Sequence, residues 1–421
     1  MKITFSLIHR KRLKVLFLSV AFSSFPAAFT AAYPIYSPTW GFALDLPEGY
    51  ELTGGDRRDR FSFASPEGAV LDIVVYAPGA GGNSTGYNSV EDMSADVRRR
   101  LGSKGDMETF SYRGKKAVLF ELSFDAPAAA GRNSGRNALN SGWGLSLELN
   151  SDGAQPPLLL ALAYGPDERE DLRVFHLSAL DSLCPSTADR KIPGPITEYS
   201  FPRQKRVPLQ LAGMEEQALF YENDGEAARY LVDREFALLK RYTDSRQWRE
   251  AWIRFYRAIY RDSFDRLTNA AFILERIWNV ETASIQASAD KPVPQEDMDK
   301  ANLSLASKAL AWVQNFNYER DLMGSDFVNL VSAVTEGRGD CDSRAMLWAI
   351  ILNHADIPAH IMVSRFYGHA MGLADIKSAG AQFEMAGKKW LVAETTAAVD
   401  IGLIGRNVSQ TDKWLGIEFV E

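Results

Sequence analysis

A thiol, an imidazole and a carboxylate follow one another in the last quarter of the 421-residue chain, at Cys341, His369 and Glu394. A cysteine nucleophile needs those three parts: a thiolate, a base within hydrogen-bond reach, and a group that holds the imidazole in one tautomer. A lone cysteine is more often simply buried. His354 and His360 flank Ile357-Pro358 in a helix-to-strand connection and read as surface or packing residues. Glu384 and Asp375 compete with Glu394, which is preferred for its place at the end of the apolar run Trp390–Ala393. An oxyanion would be met by the Cys341 backbone N–H and an upstream donor, for which Gln314 is a candidate, although a helical glutamine is more often just solvated.

The elements that must position these groups can be read around them. Gly337-Arg338-Gly339-Asp340 leads into a run from Arg344 to Leu352 with no Gly or Pro, which predicts a buried helix. Asp340 or Ser343 would cap it. Cys341 then sits at the positive end of the helix dipole, which favours the thiolate, while Asp340 and Asp342 oppose that effect. His369 enters a strand after the turn Tyr367-Gly368, and Gln382–Met385 with Lys389–Glu394 form a hairpin around Ala386-Gly387-Lys388.

Residues 301–402 resemble the transglutaminase-like superfamily, whose core is the papain-type fold and whose members include transglutaminases, peptidases and amidases. The resemblance is carried by Trp312-Val313-Gln314 before Phe316 and Tyr318, by Gly339-Asp340-Cys341, by Gly368-His369-Ala370, and by Trp390-Leu391-Val392-Ala393-Glu394-Thr395-Thr396. It implies Cys341 as nucleophile, His369 as general base and acid, and Glu394 as the orienting acid, with no cofactor and no metal. Two positions depart from the family's usual pattern: Met371 stands where many members have Trp, and Glu394 where many have Asp. The first bears on pocket shape; the second keeps a carboxylate that accepts from an imidazole N–H.

At the other end, Lys2, His9, Arg10, Lys11, Arg12 and Lys14 precede an apolar stretch, Val15–Ala32, that closes in small residues. This is the layout of a secretory signal peptide over residues 1–32, and it predicts a secreted or periplasmic protein; Ser23, Ser24 and Pro26 argue against a retained anchor. The whole chain carries a net charge of −7. Without the leader's five basic residues, 42 Lys and Arg face 54 Asp and Glu, a balance of −12. Such a chain is a poor general binder of nucleic acid or anionic membrane, and no later segment is apolar enough to span a bilayer. Cys184 and Cys341 could pair in an oxidising compartment; a catalytic Cys341 must be free.

The remaining sequence predicts an α+β protein. Residues 33–190 alternate as strands, with helices at Val90–Leu101 and Leu172–Leu183, and suggest an antiparallel sheet with helices packed on it. The stretch from Ser37 to Tyr50 is similar to domains of the PsbP and Mog1 type, which implies a binding or docking module. The loops Pro78–Asn88 and Ala126–Ser141 are recognition loops or tolerated insertions. Prolines mark a linker over 191–211. Helices follow over 212–300, among them Ser245–Tyr260, where Trp248, Trp252, Phe255, Tyr256 and Ile259 recur at helical spacing between arginines. That stripe reads first as core and second as an aromatic groove for a peptide or glycan. Residues 301–421 are the transglutaminase-like core.

The expected function is a cysteine acyl transfer, most simply a peptidase or amidase acting on protein or peptide carboxamides through a thioester. The alternative is a catalytically silent scaffold of the same fold, binding a cell-envelope partner through its N-terminal domain.

Overall fold

The structure, a computed structural model, describes residues 34–77, 87–126, 138–151, 155–278, 294–320 and 325–419. The leader at 1–32 and most of the loops 78–88 and 126–141 lie outside these residues.

The chain is α+β. Two short strands, β1 (Ile35–Tyr36) and β2 (Ala43–Leu44), pair across a turn that Gly41 closes at φ 74°. Seven strands follow: β3 (Glu51–Gly55), β4 (Arg60–Ala64), β5 (Val70–Tyr76), β6 (Met107–Tyr112), β7 (Lys115–Ala126), β8 (Ala138–Glu148) and β9 (Leu158–Pro166). They form one antiparallel sheet in the order β3-β4-β5-β9-β8-β7-β6.

Both faces of this sheet are covered, because β7 and β9 carry apolar residues on both. Helix α1 (Val90–Leu101) packs Val90 and Met93 against Phe120, Leu122 and Leu160 on one face. Ser89 caps its start and Gly102, at φ 64°, ends it. On the other face, α2 (Arg173–Asp181) packs Phe175 and Ala179 against Leu71, Ile73 and Leu145.

The proline-rich stretch 191–211 folds as α3 (Pro195–Ser200) and β10 (Arg206–Gln210), the latter pairing with β11 (Gln217–Tyr221). Proline does not prevent this, because Pro195 stands in the first turn of its helix and β10 has a partner on one side only. Three helices come next: α4 (Asp224–Leu239), α5 (Trp248–Arg266) and α6 (Thr268–Trp278). They join the two ends of the molecule. Leu238, Tyr242 and Ala251 belong to the core under the N-terminal sheet, whereas Phe255, Tyr256, Ile259 and Leu274 belong to the core of the C-terminal region.

The C-terminal region opens with α7 (Gln295–Gln314) and β12 (Asn317–Tyr318). Next come α8 (Leu330–Glu336), β13 (Arg338–Gly339) and α9 (Cys341–His354). Strands β14 (Ala359–Ser364), β15 (His369–Ala374), β16 (Gln382–Met385), β17 (Lys388–Ala393) and β18 (Leu415–Ile417) form an antiparallel sheet in the order β16-β17-β15-β14-β18. Helix α9 is buried almost throughout, which explains its nearly unbroken apolar run. It lies against β15, where Gly372 leaves room for the ring of Trp348: a Cβ on Gly372 would stand 2.4 Å from that ring. Met371, Leu373, Trp390 and Trp414 pack the sheet's other face.

Candidate functional site at Cys341, His369 and Glu394

Cys341 is the first residue of α9. Gly337 ends α8 at φ 66°, and β13 pairs in parallel with β12, so two residues suffice to bring the chain to the helix start. The cap is Asp340, whose Oδ1 accepts the Ser343 N–H at 2.8 Å and the Ser343 hydroxyl. Ser343 Oγ in turn accepts the Val328 N–H at 3.0 Å. The buried Arg344 ties the same corner together, donating to the carbonyls of Gly339 (3.0 Å) and Phe316 (2.6 Å). Arg344 and Ser343 are structural pins that the pattern of apolar residues did not reveal.

The structure brings His369 and Glu394 together. His369 Nε2 stands 2.8 Å from Glu394 Oε2. The other carboxylate oxygen accepts from Thr396, from its N–H at 2.8 Å and its hydroxyl at 2.6 Å. Burial would raise the Glu394 carboxyl, but the bond and charge of His369 and the two bonds from Thr396 outweigh it and hold the group below its ordinary range. Glu394 is thus an ionised acceptor fixed on both oxygens, suited to holding an imidazole in one tautomer with Nδ1 left open.

Gln314 lies next to this pair with both protons of its amide already donated, at 2.8 Å to the Glu394 carbonyl and 2.9 Å to the Val399 carbonyl. In this arrangement it has no donor left for an oxyanion. It pins the backbone that carries Glu394.

Cys341 reaches the same corner from the helix side. Its sulfur accepts the N–H of Ala370, the amide directly after His369, and its thiol contacts Asp342 Oδ1 at 3.8 Å. Asp342 also accepts from the hydroxyl of Tyr256 on α5 and feels the charge of His369. Burial, then Asp342 and Asp340, push the thiol well above its ordinary range, more than the Ala370 and Asp342 amides pull it down. Asp340 itself is pushed up to about 7 by burial and by Asp342.

Both cysteines are free, and Cys184 is buried, with its thiol 3.6 Å from the Ser182 carbonyl. His354 stacks on Phe264 and bonds its carbonyl at 3.0 Å. His360 packs on Trp390 and meets the Phe419 N–H at 3.3 Å. Both are packing residues. Asp375 takes Lys388 at 2.5 Å, away from His369. The bond from Tyr256 to Asp342 is the part that sequence reasoning missed; a tyrosine in an aromatic stripe carries no mark of its distant partner.

No helix among the described residues is long and apolar enough to cross a membrane. No family model matches the chain, and no curated protein does either. Among solved structures, LpqN of Mycobacterium tuberculosis, involved in cell envelope biogenesis, is 12% identical and has a TM-score of 0.25, over 35% of this chain and 86% of its own. A protein of Bacteroides thetaiotaomicron VPI-5482 is 11% identical and has a TM-score of 0.23, over 54% of this chain and 76% of its own. At such scores these likenesses define neither a family nor a function for this chain.

Proposed function

We propose that the protein is an exported cysteine acyl-transfer enzyme of the transglutaminase-like type, a peptidase or amidase acting on protein or peptide carboxamides. The observation that carries this reading is the His369–Glu394 pair, 2.8 Å apart, at the strand start whose next amide donates to Cys341 Sγ. In the proposed reaction Nδ1 of His369 takes the thiol proton and Sγ attacks the carbonyl carbon. The C–N bond breaks as His369 returns that proton to the leaving amine, leaving a thioester. Water, deprotonated by His369, attacks the thioester; the acid leaves and the thiol is restored. Transfer to an amine in place of water would need a cleft that excludes water. The basic-then-apolar pattern over residues 2–32, read as a signal peptide, supports action outside the cytoplasm.

A second reading, a catalytically silent scaffold binding an envelope partner, is favoured by one observation. The thiol is held against a carboxylate and is pushed up.

The raised thiol makes the two readings separable. Unaided, such a cysteine is inert at pH 7, so reactivity there reports proton transfer to His369. Alkylation of Cys341 by iodoacetamide, followed by mass spectrometry from pH 5 to 10 in a Cys184→Ser background, is expected to proceed at pH 7. It should slow about a hundredfold or more in His369→Ala, the usual range for loss of a general base. Labelling that appears only at high pH, or is indifferent to His369, would remove the enzyme reading and leave the scaffold.

A further inference from the structure

Half of the aromatic stripe of α5 is not core. Phe255, Tyr256 and Ile259 are buried, but Trp248 and Trp252 stay partly exposed and form one wall of a groove of about 350 Å³. The opposite wall is the end of β14 and the segment before β18, with Arg365, Phe366, Lys413 and Trp414. This volume lies within the range of about 300–1,000 Å³ typical of ligand sites.

The groove touches the candidate site at two points. The ring of Trp414 meets that of His369 edge-on, with centroids 6.1 Å apart. Trp252 leans on Tyr256 at 6.1 Å, and Tyr256 bonds Asp342 beside Cys341.

Its charge is opposite to that of the protein. Arg249, Arg365 and Lys413 face a single carboxylate, Asp412, in a chain whose net charge is −7. Lys413 is 2.9 Å from Asp412. The two arginines converge on one ring, with guanidinium carbons 5.7 and 5.5 Å from the centroid of Trp248. Among the described residues no carboxylate pairs with either of them. Two exposed guanidinium groups, fixed on an indole and still offering their N–H forks, form a receptor for carboxylates flanked by apolar surface.

We infer that the Trp248–Trp414 groove binds an acidic peptide segment beside the amide presented to Cys341, its carboxylates on Arg249 and Arg365 and its apolar side chains on Trp252 and Trp414. A peptide, not an acidic glycan, is the occupant favoured by the contact of Trp414 with an imidazole that the proposed function assigns to carboxamide chemistry. The inference rests on the proposed function in preferring a peptide to a glycan and in taking this peptide for the acyl donor; the acid preference of the groove rests on Arg249 and Arg365 alone.

The test is calorimetric and uses the full chain with Cys341→Ala, so that no turnover intervenes. The probes are acetyl-Gly-Phe-Glu-Glu-Phe-Gly-amide, its Gln-Gln counterpart, and oligogalacturonate as a glycan with the same carboxylates. The Glu peptide is expected to bind about tenfold or more tightly than the Gln peptide at low salt, as charge-assisted pairs allow. Arg249→Gln and Arg365→Gln should each reduce that preference, and together abolish it, while Arg365→Lys keeps part of it. Equal binding of the two peptides, a preference that survives both substitutions, or tighter binding of oligogalacturonate would overturn the inference. Acid-selective binding with an unreactive Cys341 would keep the groove and remove the enzyme. A reactive Cys341 without acid preference would do the reverse.

Discussion

At Cys341 two fields of opposite sign meet. The first amides of α9 and the N–H of Ala370 favour the thiolate, while Asp340, Asp342 and burial oppose it; the opposing side prevails, and the thiol is raised. Removing one negative charge should tip the balance. Asp342→Asn keeps an oxygen to accept from Tyr256 and deletes the charge nearest the sulfur. The midpoint of the alkylation profile is expected to fall by about one pH unit or more, which at fixed pH below it means a roughly tenfold larger thiolate fraction. An unchanged midpoint would mean that Asp342 already carries its proton in the folded protein, where burial raises its own affinity for one. Much of this corner was legible beforehand. Gly339 and Asp340 announced a helix start, the turn at Gly368 announced a strand start, and the end of an apolar strand singled out Glu394. Gln314 was legible as a nearby polar residue but not in its role, because its partners are backbone carbonyls, which every residue possesses.

Helix α9 and strand β15 carry the thiol and the imidazole, so their contact sets the distance between the two. That contact has no slack at Gly372, where the Trp348 ring fills the space a side chain would need, and the indole N–H is fixed at 3.0 Å to the Ala306 carbonyl. Gly372→Ala should destabilise the protein by about 1–3 kcal/mol, the usual cost of overpacking a filled core. Urea unfolding would measure it, and a loss under about 0.5 kcal/mol would show that helix and sheet can part without penalty. Elements of this kind were readable where one periodicity ran unbroken, as in α1 and the hairpin of β16 and β17, or where an apolar run held no Gly or Pro, as in α9. That hairpin turns through Ala386 and Gly387, both at positive φ, a choice of residues only a tight turn explains. Periodicity failed at α5, which presents one aromatic stripe to two environments. Trp248 and Trp252 face a groove and Phe255 faces the core, and a helical wheel assigns all three to the same side. The prolines of 191–211 misled for a related reason: they forbid interior positions of helices and sheets, not the helix start and two-stranded ribbon found there.

Across the whole molecule, the N-terminal region and the middle helices are joined by buried polar contacts. Arg257 pairs with Asp45 at 2.7 and 2.9 Å and Arg234 with Asp181 at 2.5 Å, while Tyr242 donates to the Glu48 carbonyl at 2.8 Å; Arg254 pairs with Glu235 at 2.9 Å between α5 and α4. The Glu48 side chain shares this seam. Burial pushes its carboxyl up to about 7, more than Arg254 lowers it, and Oε1 has no partner among the described residues. An acid raised on folding stabilises below its unfolded value of 4.5, and that contribution is lost as pH rises towards about 7, a change of roughly 3 kcal/mol. Buried His176, pushed down to about 4, acts in the opposite sense, costing stability as pH falls below its ordinary 6.5. The difference between wild type and Glu48→Gln isolates the carboxyl. The substitution should raise the melting temperature at pH 8 by several degrees and change it little at pH 5, and equal effects at both would refute the assignment. The helix crossing this seam, α5, is 19 residues long, about 28 Å, and is shared from end to end. Ala251 lies under the N-terminal sheet, Arg257 grips Asp45, and Tyr256 between them holds Asp342 beside the thiol. Exchanging the front of this protein for another domain would leave Arg234 and Arg257 in search of new counter-ions, so its two ends are constrained to diverge in step, as one inheritance.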